Sequence, residues 1–408
     1  MAATGTFVIA GGGLAAAKAA ESLRAESFSG QILVIGAEHH LPYERPPLSK
    51  GYLLGHEELD KAFTNPAEWY DEYDIDLSLG SSVAVIDPGA RKVTTDRGQQ
   101  IGYDKLLIAT GARPRPLALA EESGVQVAYL RTMEDSRRIK SQLESGRRVA
   151  VIGGGWIGLE VAAAARSAGC EVAVIETLEL PLVRVLGPEV AKVFADLHRS
   201  RGVEVRTHAT ITALTQEADV TVVHLADGHS VHADLVVVGV GVSPNSELAD
   251  AAGLKTHDGI LVDQHLRASH PDVFAAGDVA NAFHPRLRRH LRVEHWDNAI
   301  HQGLTAGRNM LGADEPYDRL PYFYTDQYDL GMEYVGNVGP EGYEEVLISG
   351  DVSELVFTAL WLKDGAVLAG MHVNDWDAID PIRRIVGAGR VDLAALRDPD
   401  VPLRETGL

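Results

Sequence analysis

Arg147-Arg148-Val149-Ala150-Val151-Ile152-Gly153-Gly154-Gly155-Trp156-Ile157-Gly158-Leu159-Glu160 is an apolar run, then a G-x-G-x-x-G spacing, then the start of an alanine-rich helix. The order reads as strand, phosphate loop and helix, and each glycine has its own task. Gly153 permits the tight turn, Gly155 lets backbone N–H groups approach a pyrophosphate, and Gly158 lets helix and strand pack closely. After Val161-Ala162-Ala163-Ala164-Ala165-Arg166 comes a second apolar run, Val172-Ala173-Val174-Ile175, which ends in Glu176. That acid stands about twenty residues beyond the first glycine, where a carboxylate accepts from the ribose hydroxyls of a dinucleotide. A carboxylate there also repels a 2′-phosphate, so the spacing predicts NADH over NADPH.

The same unit occurs earlier. Phe7-Val8-Ile9-Ala10 leads into Gly11-Gly12-Gly13-Leu14-Ala15-Ala16, with Ala16 at the third glycine position, a substitution the fingerprint tolerates. Its second strand, Ile32-Leu33-Val34-Ile35, is followed by Gly36-Ala37-Glu38, which makes Glu38 the candidate ribose acid. Two such sites in one chain suggest two dinucleotides, and the economical pair is FAD and NAD(H).

Working outward, His39-His40-Leu41-Pro42-Tyr43-Glu44-Arg45-Pro46-Pro47-Leu48-Ser49-Lys50 cannot be helical before Ser49, which is placed to cap the segment after it. Lys50 in a first helical turn opposes the dipole and calls for a compensating carboxylate or ligand. Residues 77–112 read as hairpin material ending in the strand Lys105-Leu106-Leu107-Ile108 and then Ala109-Thr110-Gly111-Ala112. Leu235-Val236-Val237-Val238-Gly239-Val240-Gly241 closes the second unit, and Asp272-Val273-Phe274-Ala275-Ala276-Gly277-Asp278 is another strand ending in Gly-Asp. The first domain is therefore expected at 1–115 and 246–323, interrupted by a second at 116–245. Beyond 324 the pattern turns β-rich (331–338, 345–348, 355–362, 366–373) with a helix near 377–386, which predicts a third, α+β domain at 324–408.

A chain of 408 residues with 45% hydrophobic and 23% charged residues suits two or three ordinary globular domains. A formal charge of −21 argues against nucleic-acid binding. The start shows no basic residues ahead of its apolar run, so it reads as a first strand and not a signal peptide, and a cytoplasmic location is expected. The apolar stretch 149–165 contains Glu160 and four glycines, so it reads as a buried βα unit and not a membrane span. The single cysteine, Cys170, rules out an intramolecular disulfide or a C-x-x-C relay and reads as a small buried residue. The sixteen histidines show no spacing such as H-E-x-x-H, so no metal is expected.

The motifs GGGLAA, LPYERPPLSK, LLIATGARPR, YLRTMEDS, GGGWIGLE, VGVGVSPN, FAAGDVA and VEHWDNA together resemble ferredoxin reductases of the putidaredoxin reductase type. The resemblance covers nearly the whole chain. It implies a glutathione-reductase-like α/β fold of two Rossmann-like dinucleotide-binding domains plus a C-terminal α+β domain. It also implies electron transfer from NADH through FAD to an iron–sulfur ferredoxin serving a cytochrome P450 or ring-hydroxylating dioxygenase. By position it implies FAD contacts at Gly13, Leu14, Ala15, Arg45, Lys50, Val83, Ala109, Thr110, Gly111, Arg131, Asp278 and Trp296. NAD contacts are implied at Gly155, Trp156, Ile157, Glu160, Glu176 and Gly241. Two positions depart from relatives. Ala37 stands where some carry aspartate, with Glu38 available instead; Tyr322-Phe323-Tyr324 stands where tryptophans are common, as a packing choice or an altered electron exit.

Hydride transfer is a positioning problem that the protein solves with geometry and charge. Glu160, two residues after Gly158, is expected in the first helical turn at the nucleotide, paired with Lys50 across the domain interface. This pair would orient the nicotinamide and offset developing charge, or act as a structural lock between domains. Asp278 would accept from ribitol hydroxyls or cap a helix, and Trp296 would precede an amphipathic helix at 298–311 whose positive end favours a reduced, anionic flavin. The densest basic run, Arg286-Leu287-Arg288-Arg289-His290-Leu291-Arg292, is either a docking patch for an acidic ferredoxin, chiefly through Arg286, Arg288 and Arg289, or a solvated hairpin. The competing functions are a redox-responsive protein like apoptosis-inducing factor, and an NADH oxidase. A monomer or weak homodimer is expected.

Overall fold

The computed structural model describes residues 5–339, 341–388, 391–398, 401 and 403. The first four residues of the expected opening strand, and the last few of the expected third domain, lie outside the described residues. Of the described residues, those within Met1–Pro46, Leu59–Arg113 and Val242–Arg319 form one compact unit. Those within Pro47–Glu58, Pro114–Gly241 and Leu320–Leu408 form another.

In the first unit five parallel strands stand in the order Val273–Ala275, Lys105–Ile108, Thr6–Ala10, Gln31–Gly36, Ile75–Leu79. The middle strand is apolar along its length because a parallel strand covered on both faces meets water on neither, and Phe7 to Ala10 are all buried. Ile9 pairs with Val34 on one side and Leu107 on the other. That register brings the carboxyl ends of the strands, and hence Gly11 and Ala109, to one edge of the sheet. The helix Leu14–Ala25 lies against the helix Trp296–Met310 so closely that a Cβ at Gly303 would stand 2.5 Å from the Ala15 carbonyl oxygen. The second of these helices begins at Trp296, two residues earlier than its sequence pattern suggests, because the His295 ring accepts from the Asp297 N–H at 3.2 Å and caps it.

In the second unit four parallel strands run in the order Glu204–Arg206, Glu171–Ile175, Arg148–Ile152, Leu235–Val238. A five-stranded antiparallel sheet follows, ordered Tyr322–Gln327, Leu330–Gly336, Ala366–Val373, Val356–Lys363, Glu345–Asp351. Alternation along Val356–Lys363 explains its two-sided burial. Phe357, Ala359 and Trp361 join the core that holds Leu159, Leu186 and Phe194, while Leu360 and Leu362 join Ile382 and Ile385 of the helix Ile379–Ala388. The Trp361 indole N–H donates to the Leu186 carbonyl at 3.1 Å, which meets the polar need of a buried tryptophan.

Pro47–Glu58 belongs to the second unit although both its sequence neighbours belong to the first. Leu53 is buried in the core with Ile139 and Leu159, a contribution of roughly 2 kcal/mol for a fully buried leucine. The Ser136 hydroxyl donates to the Leu48 carbonyl at 2.7 Å and ties down the start of the segment. Among the described residues no helix is long and apolar enough to cross a membrane.

Candidate functional site

In the first unit the chain leaves the strand Thr6–Ala10 through Gly11, whose φ of +128° disfavours any side chain. A Cβ there would lie 2.1 Å from the Ala109 carbonyl oxygen, so the loop can pass over Ala109-Thr110-Gly111 only with glycine. The helix Leu14–Ala25 then starts after Gly13 with no side chain capping it, and no heavy atom lies within 4 Å of where a Gly13 Cβ would sit. Its first-turn N–H groups, including those of Leu14 and Ala15, thus face an open cradle, the arrangement that receives a pyrophosphate. Thr110 is held from the other side: its hydroxyl donates to the Asn245 carbonyl at 2.8 Å, and the Asn245 amide donates to the Thr110 carbonyl at 2.8 Å.

Glu38 does stand beyond the second strand, and the structure brings it to Arg45. One carboxylate oxygen accepts from Arg45 Nη2 at 3.0 Å and the other from the Tyr43 hydroxyl at 2.6 Å. Burial works against the Arg45 charge, but Tyr43, Glu38 and Asp278 outweigh it and hold the guanidinium more firmly protonated than usual. Asp278 does not precede a helix in the chain, which passes from Val273–Ala275 through a turn straight into the strand Ala280–His284. Val83 opens the strand Val83–Asp87, and Trp296 is the first residue of its helix.

The second unit repeats the cradle. Gly153 has φ +103°, and the helix Trp156–Ser167 starts after Gly155, which again carries no side-chain cap and whose Cβ position meets only the Gly239 carbonyl oxygen, at 4.0 Å. A Cβ on Gly158 would lie 2.1 Å from the Gly153 carbonyl oxygen, which is the close helix-to-loop approach expected of the third glycine. Glu176 accepts from the Gly154 N–H at 2.7 Å through one oxygen and from the Leu178 N–H at 2.9 Å through the other. The acid therefore braces the loop itself. Trp156 packs edge-on against Phe194, leaving Ile157 exposed beside the loop. The Gly241 carbonyl accepts from the Arg115 N–H at 2.9 Å, and the Arg131 N–H donates to Asp135 in the capping box that starts the helix Met133–Lys140.

Lys50 and Glu160 meet, with Nζ 2.6 Å from Oε1, but not across the boundary between the units. Because Pro47–Glu58 packs into the second unit, both partners belong to it. Glu160 also lies past the first turn of its helix, so Lys50, more than the helix dipole, offsets its charge. Ser49 caps nothing. Lys50 is the N-cap of the short helix Gly51–Leu54, while the Ser49 hydroxyl donates to Glu160 Oε2 at 2.5 Å. Thr325 donates to Glu160 Oε1 at 2.7 Å, so a buried carboxylate has three donors from two segments. The Tyr324 ring lies 5.1 Å from Lys50 Nζ, within cation–π range. Tyr322 turns elsewhere: its hydroxyl donates to Glu333, whose other oxygen is 2.7 Å from His372 Nε2. Sequence patterns point to Lys50 and Glu160; Ser49 is singled out only as a cap, and Thr325 and Asn245 could not be singled out for these contacts, since lone hydroxyl and amide residues carry no spacing signal.

Cys170 is buried just before the strand Glu171–Ile175; its thiol donates to the Glu144 carbonyl at 3.3 Å and burial pushes its pKa up. The basic run forms the turn and the second strand, Arg289–Arg292, of a hairpin whose first strand is Ala280–His284. Arg286 and Arg288 are exposed there, whereas Arg292 is committed to Asp258 at 3.1 Å and to Glu294.

Residues 5–303 match the pyridine nucleotide-disulphide oxidoreductase family, and residues 322–407 match the reductase C-terminal family. The chain belongs to the pyridine nucleotide-disulphide oxidoreductase family. Within it, the chain is 43% identical over 401 residues, 98% of each chain, to the ferredoxin–NAD(+) reductase component of the anthranilate 1,2-dioxygenase system of Burkholderia cepacia. It is 36% identical to putidaredoxin reductase of Pseudomonas putida over 99% of this chain and 97% of that one. Its fold matches the solved covalent putidaredoxin reductase–putidaredoxin complex with a TM-score of 0.94 at 36% identity, over 98% of this chain and 97% of the other. The resemblance drawn from the motifs therefore holds across both family regions. This oxidoreductase has one cysteine, so the disulphide exchange in the family's name has no intramolecular partner here.

Proposed function

We propose that the chain is an FAD-dependent NADH:ferredoxin reductase that supplies a cytochrome P450 or ring-hydroxylating dioxygenase. The carrying observation is the pair of bare helix N-termini, at Gly13 and Gly155, in a chain whose one cysteine is buried and unpaired. Two dinucleotides fit these cradles, and no protein sulfur stands ready to relay electrons. When bound, FAD accepts a two-electron hydride from NADH and returns the electrons singly to the iron–sulfur acceptor.

In this reading Gly11, Gly13, Leu14, Ala15, Glu38, Arg45, Val83, Ala109, Thr110, Gly111, Asp278 and Trp296 hold the flavin nucleotide, with Lys50 and Arg131 contributing. Gly153, Gly155, Trp156, Ile157, Gly158, Glu160, Glu176 and Gly241 hold NAD(H). Glu176 confers the preference for NADH, since a braced carboxylate repels a 2′-phosphate. Lys50 and Glu160 act at the nicotinamide, orienting it and balancing the charge that moves. The domain assignment is 1–115 with 246–323 for FAD, 116–245 for NAD and 324–408 for the C-terminal domain. Arg286, Arg288 and Arg289 steer an acidic ferredoxin in a protein of otherwise negative charge. The protein works in the cytoplasm as a monomer or weak homodimer.

Anaerobic addition of NADH to the yellow protein tests the core of this reading: the flavin absorbance bleaches, and a ferredoxin then restores it. A colourless purified protein, or a yellow one that keeps its colour with NADH, defeats the proposal. Lys50→Met should slow bleaching far more than it weakens NADH binding; an unchanged bleaching rate would remove the assigned role of Lys50.

A further inference from the structure

Glu160 is the end point of a longer chain of hydrogen bonds. Thr325, Gln327 and His198 have relative exposures of 0%, 1% and 0%, so water cannot substitute for any of them. Gln327 Nε2 lies 3.1 Å from Thr325 Oγ1, Gln327 Oε1 lies 2.8 Å from His198 Nε2, and the Tyr328 hydroxyl lies 3.3 Å from His198 Nδ1. All of these residues are in one compact unit with Lys50 and Glu160.

An ionised carboxylate only accepts, and that sets the polarity of every other group. Thr325 gives its hydrogen to Glu160, so its oxygen must accept from the Gln327 amide N–H. Gln327 then presents its carbonyl oxygen to His198, which must carry its hydrogen on Nε2. Nδ1 is left as an acceptor for the Tyr328 hydroxyl. A flipped Gln327 would demand the Thr325 hydrogen for itself and leave Glu160 one donor short.

We propose that Thr325, Gln327, His198 and Tyr328 are positioning residues that act through Glu160, forming a one-way hydrogen-bond chain that holds its carboxylate in one rotamer beneath Lys50. The inference rests on the reading that Glu160 works at the nicotinamide. The charged groups facing Glu160 are Lys50 and Asp326. His198 faces Tyr328, with Arg201 5.4 Å from the Tyr328 ring and Arg166 acting on that same hydroxyl. Burial lowers the His198 pKa, which agrees with a neutral ring of fixed tautomer. Loss of the Thr325 hydroxyl removes one of three charge-assisted bonds to Glu160. The carboxylate is then held less firmly in the rotamer that serves Lys50, and flavin reduction should slow.

The test compares wild type, Thr325→Val, Thr325→Ser and Gln327→Leu holoproteins. The limiting rate of anaerobic flavin bleaching is measured alongside the apparent Kd for NADH. In Thr325→Val the limiting rate should fall by about tenfold or more, the size of one hydrogen bond to a charged group, while Kd stays within about twofold. Thr325→Ser should restore the rate. Nitrogen-15 NMR of labelled histidines, with His198 assigned through a His198→Asn variant, gives a readout independent of turnover. His198 should hold the Nε2–H tautomer from about pH 6 to 8 in wild type and lose that preference in Gln327→Leu. If Thr325→Val does not fold, the contrast between Thr325→Ser and Gln327→Leu decides in its place. Wild-type protein that bleaches normally, with variant limiting rates equal to its own or with His198 carrying its proton on Nδ1, overturns this inference and leaves the reductase reading intact. Wild-type protein that does not bleach overturns both.

Discussion

Lys50 and Glu160 should be strongly coupled in stability, and a double-mutant cycle measures by how much. Nζ and Oε1 are 2.6 Å apart, with side-chain exposures of 14% and 2%. At an effective dielectric of about 20 the gross attraction is about 6 kcal/mol, from which the cost of desolvating both charges must be subtracted. Lys50→Met strands the carboxylate with Ser49 and Thr325 as its remaining donors, and should destabilise the fold by about 3 kcal/mol. Glu160→Gln leaves an ammonium that is still partly open to water and should cost less, about 1–2 kcal/mol. The double variant keeps a neutral amide that can still bond to Ser49 and Thr325, so its total cost should be about 1–2 kcal/mol. The coupling energy is then about 2–4 kcal/mol. Urea unfolding followed by tryptophan fluorescence reads it, since Trp156 and Trp361 both lie in the second unit. Additive single effects, with coupling under about 0.5 kcal/mol, would refute the claim that these charges are buried together.

Gly13→Val should leave the fold intact and abolish yellow colour, because open space receives its Cβ, whereas Gly11→Ala should lower Tm and yield directly through its contact with the Ala109 carbonyl. Circular dichroism and flavin absorbance separate the two cases. For Asp297, burial acts to raise the pKa, yet hydrogen bonds from His301 and Arg319 carry it down to about 2. Its folded pKa lies below the unfolded one, so its contribution is complete above about pH 4 and lost as pH falls towards 2; it amounts to ~2 kcal/mol, and acid unfolding of Asp297→Asn should lack that component. Charge reversal at Arg288 and Arg289 should raise the KM for ferredoxin and flatten its salt dependence without changing ferricyanide reduction. Cys170→Ser should leave anaerobic bleaching and ferredoxin turnover within about twofold, with only a modest stability cost from a polar group in a buried site.

The two glycine units, their parallel strands and the acids at Glu38 and Glu176 were legible in the sequence because each depends on local rules. Gly153 and Gly11 announce turns that only glycine tolerates, and continuous apolar runs announce strands buried on both faces. The need of Lys50 for a carboxylate was also legible, and Glu160 was the right partner. What spacing could not reveal was where the pair would form. Leu53 sinks into the core with Leu159, and that burial carries Pro47–Glu58, with Ser49 and Lys50, over to the second unit. Ser49 looked like a helix cap because local rules know only nearby N–H groups; a buried carboxylate 111 positions away outcompeted them. Thr325, Gln327 and His198 become a set only when the C-terminal sheet folds against the helix Val183–Ser200, since hydrogen bonds between distant segments leave no periodicity behind. Local stereochemistry wrote the nucleotide cradles into the chain, while long-range burial of polar groups chose the company that Glu160 keeps.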